Sequence, residues 1–310
     1  MSDTMKIPDV SEKYPGKIGE IVLGKGDYIA GGSDGMPLLS FENTCKRRMM
    51  IAGEVVDDLT DYPELAASMF NGRQKDPVEW SLMWKSIGAD MICLRLKGTD
   101  PDKGKTTEYA SELVERIADA TQLPVIVYGC GIPEVDDNLM KEISNSVKNR
   151  RLVLAKADEE GHKTISSAAI AGKHALIAFS NLDLNLAKQM NIVLTDFGVQ
   201  RSDILMDPLM APLGMGLDYS YSVNERIRLA ALSGDKMLQI PMICDATGAW
   251  DVGDAVNDDD ADLGDVVNRV TWWETMTAMA AMASGADIVI MRGPGAADMI
   301  LGYADELRCD

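Results

Sequence analysis

The chain has 310 residues, of which 46% are hydrophobic and 25% charged, the balance of a globular protein with a large core. Its formal net charge of −19 and isoelectric point of about 4.5 exclude nucleic acid and anionic membrane surfaces, because both need a positive binding surface. No apolar run approaches the roughly 20 residues of a membrane span. The first ten residues lack the apolar stretch of a signal peptide, so a cytoplasmic location is expected.

The cysteines and histidines argue against disulfides and metal sites. Five cysteines are scattered without a C-x-x-C pair, which fits a reducing compartment, and an iron–sulfur cluster needs about four thiolates, usually close in sequence. Cys93 and Cys244 lie in apolar runs and are predicted to be buried core residues. His162 and His174 do not form a ligand pair such as H-E-x-x-H, and no metal site is predicted.

The first predicted element is a β-hairpin. Residues 17–23 and 27–30 flank the turn sequence Gly24-Lys25-Gly26. No helical pattern follows Gly24-x-Gly26, so a dinucleotide-binding loop is excluded. Residues 1–46 are therefore predicted to form an extension whose hairpin covers the N-terminal end of a domain spanning residues 47–310.

After the hairpin, short apolar runs alternate with longer stretches of helical period. Most runs are rich in Val, Ile, Leu or Met without alternation, which is typical of parallel strands buried on both faces. Eight such βα units predict a closed (β/α)8 barrel, a TIM barrel, with an open doubly wound sheet as the alternative. The predicted strands cover residues 49–56, 91–96, 125–128, 152–156, 175–179, 204–206, 242–244 and 288–291.

Capping patterns mark the predicted helices. The sequence Asp76-Pro77-Val78-Glu79 is a capping box with proline at the first helical position, before a helix over residues 80–87. A second box at Ser222 predicts a helix over residues 226–232. The pattern Gly-Ala-Asp, four apolar residues and Arg occurs at 88–95 and again at 285–292. Further helices are predicted over residues 106–120, 134–148, 164–171, 182–189, 263–283 and 296–307.

Functional groups in such a barrel lie at the C-terminal ends of its strands. Lys156 raises the hypothesis of a Schiff-base lysine, as in barrel aldolases, whereas Asp158 nearby favours an ordinary ion pair. The turn from Arg292 to Gly295 before a helix predicts either a phosphate site or a plain tight turn. The strand-end candidates are Glu54, Asp57, Asp58, Arg95, Lys97, Tyr128, Cys130, Lys156, Asp158, Ser180, Asn181, Asp207, Asp245 and Arg292.

The loop after the sixth predicted strand is unusually apolar. It reads DPLMAPLGMG over residues 207–216, and proline cannot donate a ladder hydrogen bond, so the strand should stop near Asp207. Met210 and Met215 stand where solvent normally favours polar residues. The barrel mouth is therefore predicted to be rich in methionine.

No strong catalytic constellation is present. The acidic run 251–265 fails the calcium-loop pattern, because the sixth and twelfth positions counted from Asp258 hold Leu263 and Arg269. A solvated loop whose carboxylates favour the start of the next helix is the better interpretation. No nucleophile elbow, P-loop or kinase motif occurs. An apolar mouth without an acid–base pair predicts a binding surface.

Taken together, the hairpin, the Gly-Ala-Asp strands, residues 204–216, CDATGAW at 244–250 and MRGPG at 291–295 resemble one family. The chain is similar to the small subunit of the corrinoid/iron–sulfur protein, the acetyl-CoA decarbonylase/synthase delta-type subunit. That protein is the methyl carrier of the anaerobic reductive acetyl-CoA (Wood–Ljungdahl) pathway of carbon fixation. The resemblance covers nearly the whole chain.

The resemblance implies a heterodimer. The large subunit would carry a [4Fe–4S] cluster and a cobalamin-type corrinoid, which lies against the mouth of this barrel. Methyl would pass from methyltetrahydrofolate:corrinoid methyltransferase to acetyl-CoA synthase, the partner of CO dehydrogenase, and a reductive activator is a further candidate partner. The corrinoid-ligand pattern Asp-x-His-x-x-Gly is absent around His162, so the lower-face ligand is expected on another chain.

On this hypothesis the chain breaks no bond itself but shields the corrinoid, and no catalytic residue is assigned. The residues predicted to contact the corrinoid are Asp207, Met210, Met215, Thr247, Gly248, Ala249, Trp250, Arg292, Gly293 and Gly295.

The alternative is a methyltetrahydrofolate-dependent corrinoid methyltransferase, a related barrel that carries a stretch like Asp207-Pro208-Leu209. Such pterin-binding barrels end an early strand with Asp-x-Asn. Here the corresponding positions hold Cys93, Leu94 and Arg95, a departure that argues against pterin binding.

Overall fold

The computed structural model describes residues 11–39, 42–45, 47–148, 150–257 and 261–307. Strands and α-helices alternate along almost the whole of this part of the chain. In chain order they are β1 (Glu20–Leu23), β2 (Tyr28–Gly31), β3 (Met50–Val56), α1 (Glu64–Ser68), α2 (Pro77–Ser86), β4 (Met91–Arg95), α3 (Thr107–Thr121), β5 (Val125–Tyr128), α4 (Pro133–Ser146), β6 (Val153–Ala157), α5 (His162–Gly172), β7 (Ala175–Phe179), α6 (Leu184–Phe197), β8 (Ile204–Asp207), α7 (Leu217–Leu232), β9 (Ile243–Asp245), α8 (Gly253–Val256), α9 (Val266–Ser284), β10 (Ile288–Met291) and α10 (Pro294–Glu306). Short 3-10 helices cover Arg73–Lys75, Lys97–Thr99, Arg201–Asp203, Thr247–Asp251 and Ala261–Leu263.

Eight parallel strands form a ring. Strands β3 to β8 pair in chain order, and β10 pairs with both β3 and β9. The ring closes between β8 and β9, where Met206 pairs with Met242 and its N–H donates to the carbonyl of Pro241 at 2.9 Å. The predicted (β/α)8 barrel is confirmed, and the doubly wound alternative is wrong because no open edge remains between these strands.

Two layers of core lie on either side of the strands. Side chains that point outward, such as Ile92 and Leu94, pack against the helices. Side chains that point inward, such as Met91 and Cys93, fill the barrel. Cys93 lies inside the barrel and Cys244 outside it, both buried as predicted, and the four cysteines among the described residues are free thiols.

The hairpin of β1 and β2 packs on the N-terminal end of the barrel. Ile21, Leu23 and Ala30 are buried and belong to the same cluster as the inward-pointing strand residues. Gly24 in its turn pairs with Arg151, just before β6. The hairpin therefore fills the bottom of the barrel, and the C-terminal ends of the strands form the open end.

Two predicted helix boundaries are wrong by more than one helical turn. Helix α7 begins at Leu217, not after Ser222, and the hydroxyl of Ser220 in its first turn accepts a hydrogen bond from Ala211 N–H at 2.8 Å. Tertiary packing of the loop thus fixes an earlier start than the capping sequence indicates. Helix α6 continues eight residues past the predicted 189 to Phe197, where Gly198 ends it at a φ of 111°.

Gly53 in β3 offers a test of the packing between strand and helix. A Cβ on this residue would lie 2.1 Å from Cδ2 of Trp84, which is fully buried on α2. We expect Gly53→Ala to lower the free energy of unfolding by about 1–3 kcal/mol, because the indole ring must move in a packed core. Urea denaturation measures the change.

Gly302→Ala is the matched control. This position in α10 has open space where its Cβ would lie, and alanine favours a helix over glycine by up to about 1 kcal/mol. The control should therefore be neutral or stabilising. Equal unfolding midpoints for the two variants would contradict the packing described here.

Candidate functional site

A network of charged side chains lies at the mouth of the barrel, the end formed by the C-terminal ends of the strands. Glu54 is on β3, Arg95 ends β4, Asp245 ends β9 and Arg292 follows β10. All four were among the strand-end candidates from the sequence. The mouth that the sequence predicted to be apolar is therefore charged at this side.

Glu54 is the centre of this network. Its Oε1 accepts from Nε of Arg95 at 2.6 Å, and its Oε2 accepts from Nε of Arg292 at 2.5 Å and from the Tyr62 hydroxyl at 3.4 Å. Glu54 is 0% exposed. Burial acts to raise the pKa of Glu54, but the guanidinium groups of Arg292 and Arg95 outweigh it and the pKa is lowered. Glu54 is thus an ionised carboxylate held inside the protein.

Arg95 crosses the mouth. Its Nη2 donates to Oδ2 of Asp245 at 2.5 Å, and strands β3 and β10 separate β4 from β9 in the ring. Its guanidinium also lies 4.7 Å from the centroid of the Tyr128 ring on β5. Thr247 orients the Asp245 carboxylate, because its hydroxyl donates to Oδ1 of Asp245 at 2.6 Å. The side chain of Arg95 therefore reaches over the ends of β3 and β10 to the end of β9.

The turn after β10 is held by Glu274, a buried residue of α9. Its carboxylate accepts from the N–H groups of Arg292 at 2.6 Å and Gly293 at 2.8 Å, and from Nε1 of Trp250 at 2.9 Å. Burial raises the pKa of Glu274 to about 7, although these donors act in the opposite direction. The two backbone donors that a phosphate would use here already bind a carboxylate, so the geometry favours the plain-turn interpretation.

Sequence reasoning missed Glu274. The available signal is its place in the sequence of α9, where one carboxylate stands among apolar and small residues. A charged residue on a buried helix face requires a partner, although the sequence does not identify which one.

Asp207 and Lys156 lie on the other side of the mouth. Asp207 is 6% exposed, its Oδ1 accepts from Leu209 N–H at 2.9 Å, and burial raises its pKa to about 6. Lys156 places Nζ 3.4 Å from the centroid of the Phe179 ring. The predicted ion pair with Asp158 is wrong, because Oδ1 of Asp158 instead accepts from Gly161 N–H at 2.7 Å in the turn before α5.

The predicted corrinoid contacts divide by exposure. Met215 is 65% exposed, Gly295 is exposed, and Gly248 and Arg292 are half-buried. The others are buried: Asp207, Met210, Thr247, Ala249, Trp250 and Gly293.

The buried members of this set support the loops. Met210 packs in the outer core, where its sulfur lies 3.7 Å from Nδ2 of Asn224. Ala249 and Trp250 pack with Val270 of α9 in a small cluster beside the mouth. The sequence could not tell which loop side chains point inward, and contact with a corrinoid stays a prediction for the whole set.

A cleft of about 300 Å³ lies beside the charged network. Arg95 and Arg292 form part of its wall, and Lys97 donates to the carbonyl of Cys130 at 3.0 Å. Asp58, Asp61, Asp100 and Asp251 also line the cleft.

The acidic run lies partly outside the described residues, which omit 258–260. In the part that is described, Asp265 accepts from Asn268 N–H at 2.8 Å and caps α9, in agreement with the helix-start interpretation. The described ranges contain no cluster of three His, Cys, Asp or Glu side chains placed to hold a metal ion. Within the same ranges, no helix has the length and hydropathy needed to cross a membrane.

The family model for the CO dehydrogenase/acetyl-CoA synthase delta subunit matches residues 20–301. The chain belongs to this delta subunit family. The delta subunit of the acetyl-CoA decarbonylase/synthase complex from Methanothermobacter thermautotrophicus is 30% identical over 289 residues, which cover 91% of this chain and 73% of that protein. The corresponding subunit from Methanocaldococcus jannaschii is 30% identical over 294 residues, covering 91% and 72%. The delta-type resemblance noted from the sequence is confirmed.

Solved structures support the fold of this delta-family chain. Dihydropteroate synthase from Xanthomonas albilineans, in complex with 7,8-dihydropteroate, aligns with a TM-score of 0.58 at 13% identity, covering 86% of this chain and 97% of that one. The enzyme from Coxiella burnetii, in complex with pteroic acid, gives a TM-score of 0.56 at 12% identity, covering 94% and 100%. At such low identity the likeness concerns the barrel alone.

Glu54→Gln tests the charged network. The substitution keeps the side-chain size but leaves the guanidinium groups of Arg95 and Arg292 without their shared anion. We expect the free energy of unfolding to fall by about 3–5 kcal/mol, the usual cost of removing one partner from a buried ion pair. Urea denaturation near neutral pH measures it.

The control for that variant is Glu20→Gln, which removes the ion pair with Arg47. Those two side chains are 42% and 38% exposed, so the loss should stay below about 1 kcal/mol. A loss at Glu54 as small as the loss at Glu20 would show that the network does not stabilise the mouth.

Asp207→Asn tests the raised pKa. Between the ordinary value of 3.8 and the folded value of about 6, the native state binds the proton more tightly than the unfolded chain does. This contribution to stability is present at lower pH and is lost as the pH rises through 6. Asparagine keeps the Oδ1 acceptor for Leu209 but cannot ionise.

We therefore expect Asp207→Asn to gain stability relative to the unsubstituted protein as the pH rises, by up to about 3 kcal/mol between roughly pH 4 and pH 7. Urea denaturation of both proteins across this range measures the difference. A difference that does not change with pH would rule out titration of Asp207 in this range.

Proposed function

We propose that this chain is the small subunit of a heterodimeric corrinoid/iron–sulfur methyl carrier of the reductive acetyl-CoA pathway. Its barrel mouth covers the corrinoid that a large subunit holds. Methyl passes from methyltetrahydrofolate:corrinoid methyltransferase to acetyl-CoA synthase while the corrinoid is carried between them. Membership of the delta subunit family over residues 20–301 supports this role, and the relatives are named as subunits of a complex.

The observation that carries the proposal is the position of Arg95. In a barrel enzyme the substrate occupies the mouth, where strand-end groups point at it. Here Arg95 lies across one half of the mouth and binds both Glu54 and Asp245. These charges satisfy one another, which suits a covering surface better than a catalytic pocket.

The residues around the mouth fit a corrinoid, a broad ring with apolar faces and polar amide arms. Met215 in the loop between β8 and α7 is 65% exposed, Tyr219 in the first turn of α7 is 69% exposed, and Ile132 is exposed after β5. These side chains would lie against the ring, and Gly248 would permit close approach. When bound, the corrinoid supplies a cobalt that accepts and releases a methyl group. The apolar side chains of this chain would exclude water from its outer face.

The competing hypothesis is a methyltetrahydrofolate-dependent methyltransferase. The dihydropteroate synthases share the fold at 12–13% identity, which carries no argument about the ligand of this chain. Arg95 stands at the end of the strand where a pterin-binding barrel is expected to end in Asp-x-Asn, and both of its acidic partners engage it. That arrangement opposes a pterin site.

Affinity purification of the tagged full chain from its native cells, without oxygen, tests the proposal. We expect a larger chain to co-purify with it, bringing corrinoid absorbance and iron. Met215→Glu should reduce recovery of that chain at least about tenfold, because it buries a charge in the covering surface. The matched control is Ile170→Glu, which alters an equally apolar exposed side chain near the C-terminal end of α5, away from the mouth.

Two results would overturn the proposal. One is equal recovery of the larger chain with Met215→Glu and with the unsubstituted protein. The other is one-to-one binding of methyltetrahydrofolate by the isolated chain with transfer of its methyl group to added corrinoid, which would establish the methyltransferase instead.

A further inference from the structure

The two halves of the barrel mouth use their polar groups differently. On the side of β3, β4, β9 and β10, the charged groups bind one another, as described above for Glu54 and Arg95. On the side of β5 to β8, the Tyr128 hydroxyl, Lys156 Nζ and Oδ2 of Asp207 have no hydrogen-bond partner among the described residues. We call this second side the open half of the mouth.

Strand register brings the groups of the open half together. Tyr128 pairs with Ala155, the residue before Lys156, and Phe179 pairs with Asp207. Lys156 Nζ lies over the Phe179 ring at 3.4 Å from its centroid. These residues therefore line one continuous arc of the rim, from β5 to β8.

The Lys156 ammonium acts on Asp207 although the two side chains form no ion pair. The ammonium of Lys156 acts to lower the pKa of Asp207 against the larger effect of burial. Among the described residues these two groups form no ion pair, so Nζ and the carboxylate oxygens lie more than 4.0 Å apart. A donor and an acceptor thus face the mouth with a gap between them.

The backbone of the open half is strained. Asn181, Leu182 and Leu209 have positive φ values of 42°, 62° and 75°, which cost roughly 1–2 kcal/mol each for residues with a side chain. A hydrogen bond of 2.8 Å from Leu182 N–H to the carbonyl of Pro208 links the two strained loops. Such strain persists where the surrounding structure enforces it, and it concentrates at ligand sites.

Ser180 supplies an unused polar atom at the same edge. It follows β7, is 1% exposed, and its hydroxyl has no hydrogen-bond partner among the described residues. A buried hydroxyl without a hydrogen-bond partner lowers the stability of the folded protein, and a ligand that forms a hydrogen bond with it would remove that penalty.

We propose that the open half of the mouth, formed by Tyr128, Lys156, Ser180 and Asp207, binds one propionamide arm of the corrinoid. This inference rests on the proposed function. The amide carbonyl would accept from Lys156 or Tyr128, and the amide N–H would donate to Asp207. A carboxylate arm would be repelled by Asp207 and an ammonium by Lys156, whereas a neutral amide satisfies both. Only an arm enters, so the ring remains outside against Met215.

Binding of cyanocobalamin and its three single-arm carboxylic acids, the b, d and e derivatives, tests this inference. Each acid replaces one propionamide by a carboxylate of nearly equal size. Equilibrium dialysis with the full chain should show binding of cyanocobalamin, and one of the three acids should bind about tenfold more weakly. Equal binding of all four compounds, or no binding of cyanocobalamin, would refute the site.

Substitutions identify the residues responsible. Lys156→Met and Tyr128→Phe each remove a donor while keeping the size of the side chain, and each should weaken cyanocobalamin binding by roughly five- to tenfold. Lys156→Met should also increase the penalty for the weakest acid, because the ammonium then no longer offsets the repulsion between the carboxylate arm and Asp207. Lys163→Met, on the exposed face of α5, makes the same change in charge and should leave binding unaltered. Equal effects of Lys156→Met and Lys163→Met would overturn the assignment.

The experiments distinguish failure of the carboxamide site from failure of the proposed subunit role. If the larger chain co-purifies but the four compounds bind equally, the carboxamide site is wrong and the covering role stands. If one acid is rejected but no corrinoid-bearing chain co-purifies, the carboxamide site stands and the subunit role is wrong.

Discussion

The ion pairs of Arg95 with Glu54 and Asp245 determine the form of the barrel mouth. Glu54 lies inside the protein, where an unpaired carboxylate would be very costly, so it requires Arg95 and Arg292 beside it. Arg95 in turn ends on Asp245, which Thr247 orients. Through these contacts a single buried charge ties together strands β3, β4, β9 and β10 at the end where a barrel would otherwise have a polar opening.

This constraint also separates the mouth into unlike halves. Where the charges are paired, loops are held by the protein itself, as Glu274 holds the turn at Arg292 and Gly293. Where they are not paired, Lys156 and Asp207 line the mouth between strained loops. The mouth therefore has one part whose polar groups bind one another and one part with unused hydrogen-bonding capacity, which suits the recognition proposed above.

The sequence predicted the fold because parallel strands buried on both faces read as uninterrupted apolar runs. Because the predicted strands have defined ends, the sequence also identified the strand-end residues Glu54, Arg95, Asp245 and Arg292. It could not predict their pairing, since Arg95 is 41 residues from Glu54 and 150 from Asp245, and only the closed ring brings them together.

Two other predictions from the sequence are incomplete or wrong for local reasons. Met210 and Met215 look alike in the sequence, yet one is buried and the other exposed, because an irregular loop has no period that reveals which side faces inward. Asp158 accepts a hydrogen bond in a turn instead of pairing with Lys156. The sequence allows both arrangements, because each provides the carboxylate with a partner. In both cases the outcome depends on a contact in the folded structure that the sequence alone does not reveal.

The hairpin has a consequence for the order of events in the proposed transfer. Ile21 and Leu23 fill the N-terminal opening, so nothing can thread through the barrel from one end to the other. Under the proposed function, donor and acceptor proteins would consequently have to use the same rim, where two bodies of protein size would exclude each other. Methyl delivery and methyl removal would then be separate events, and the first enzyme would have to leave before the second could bind.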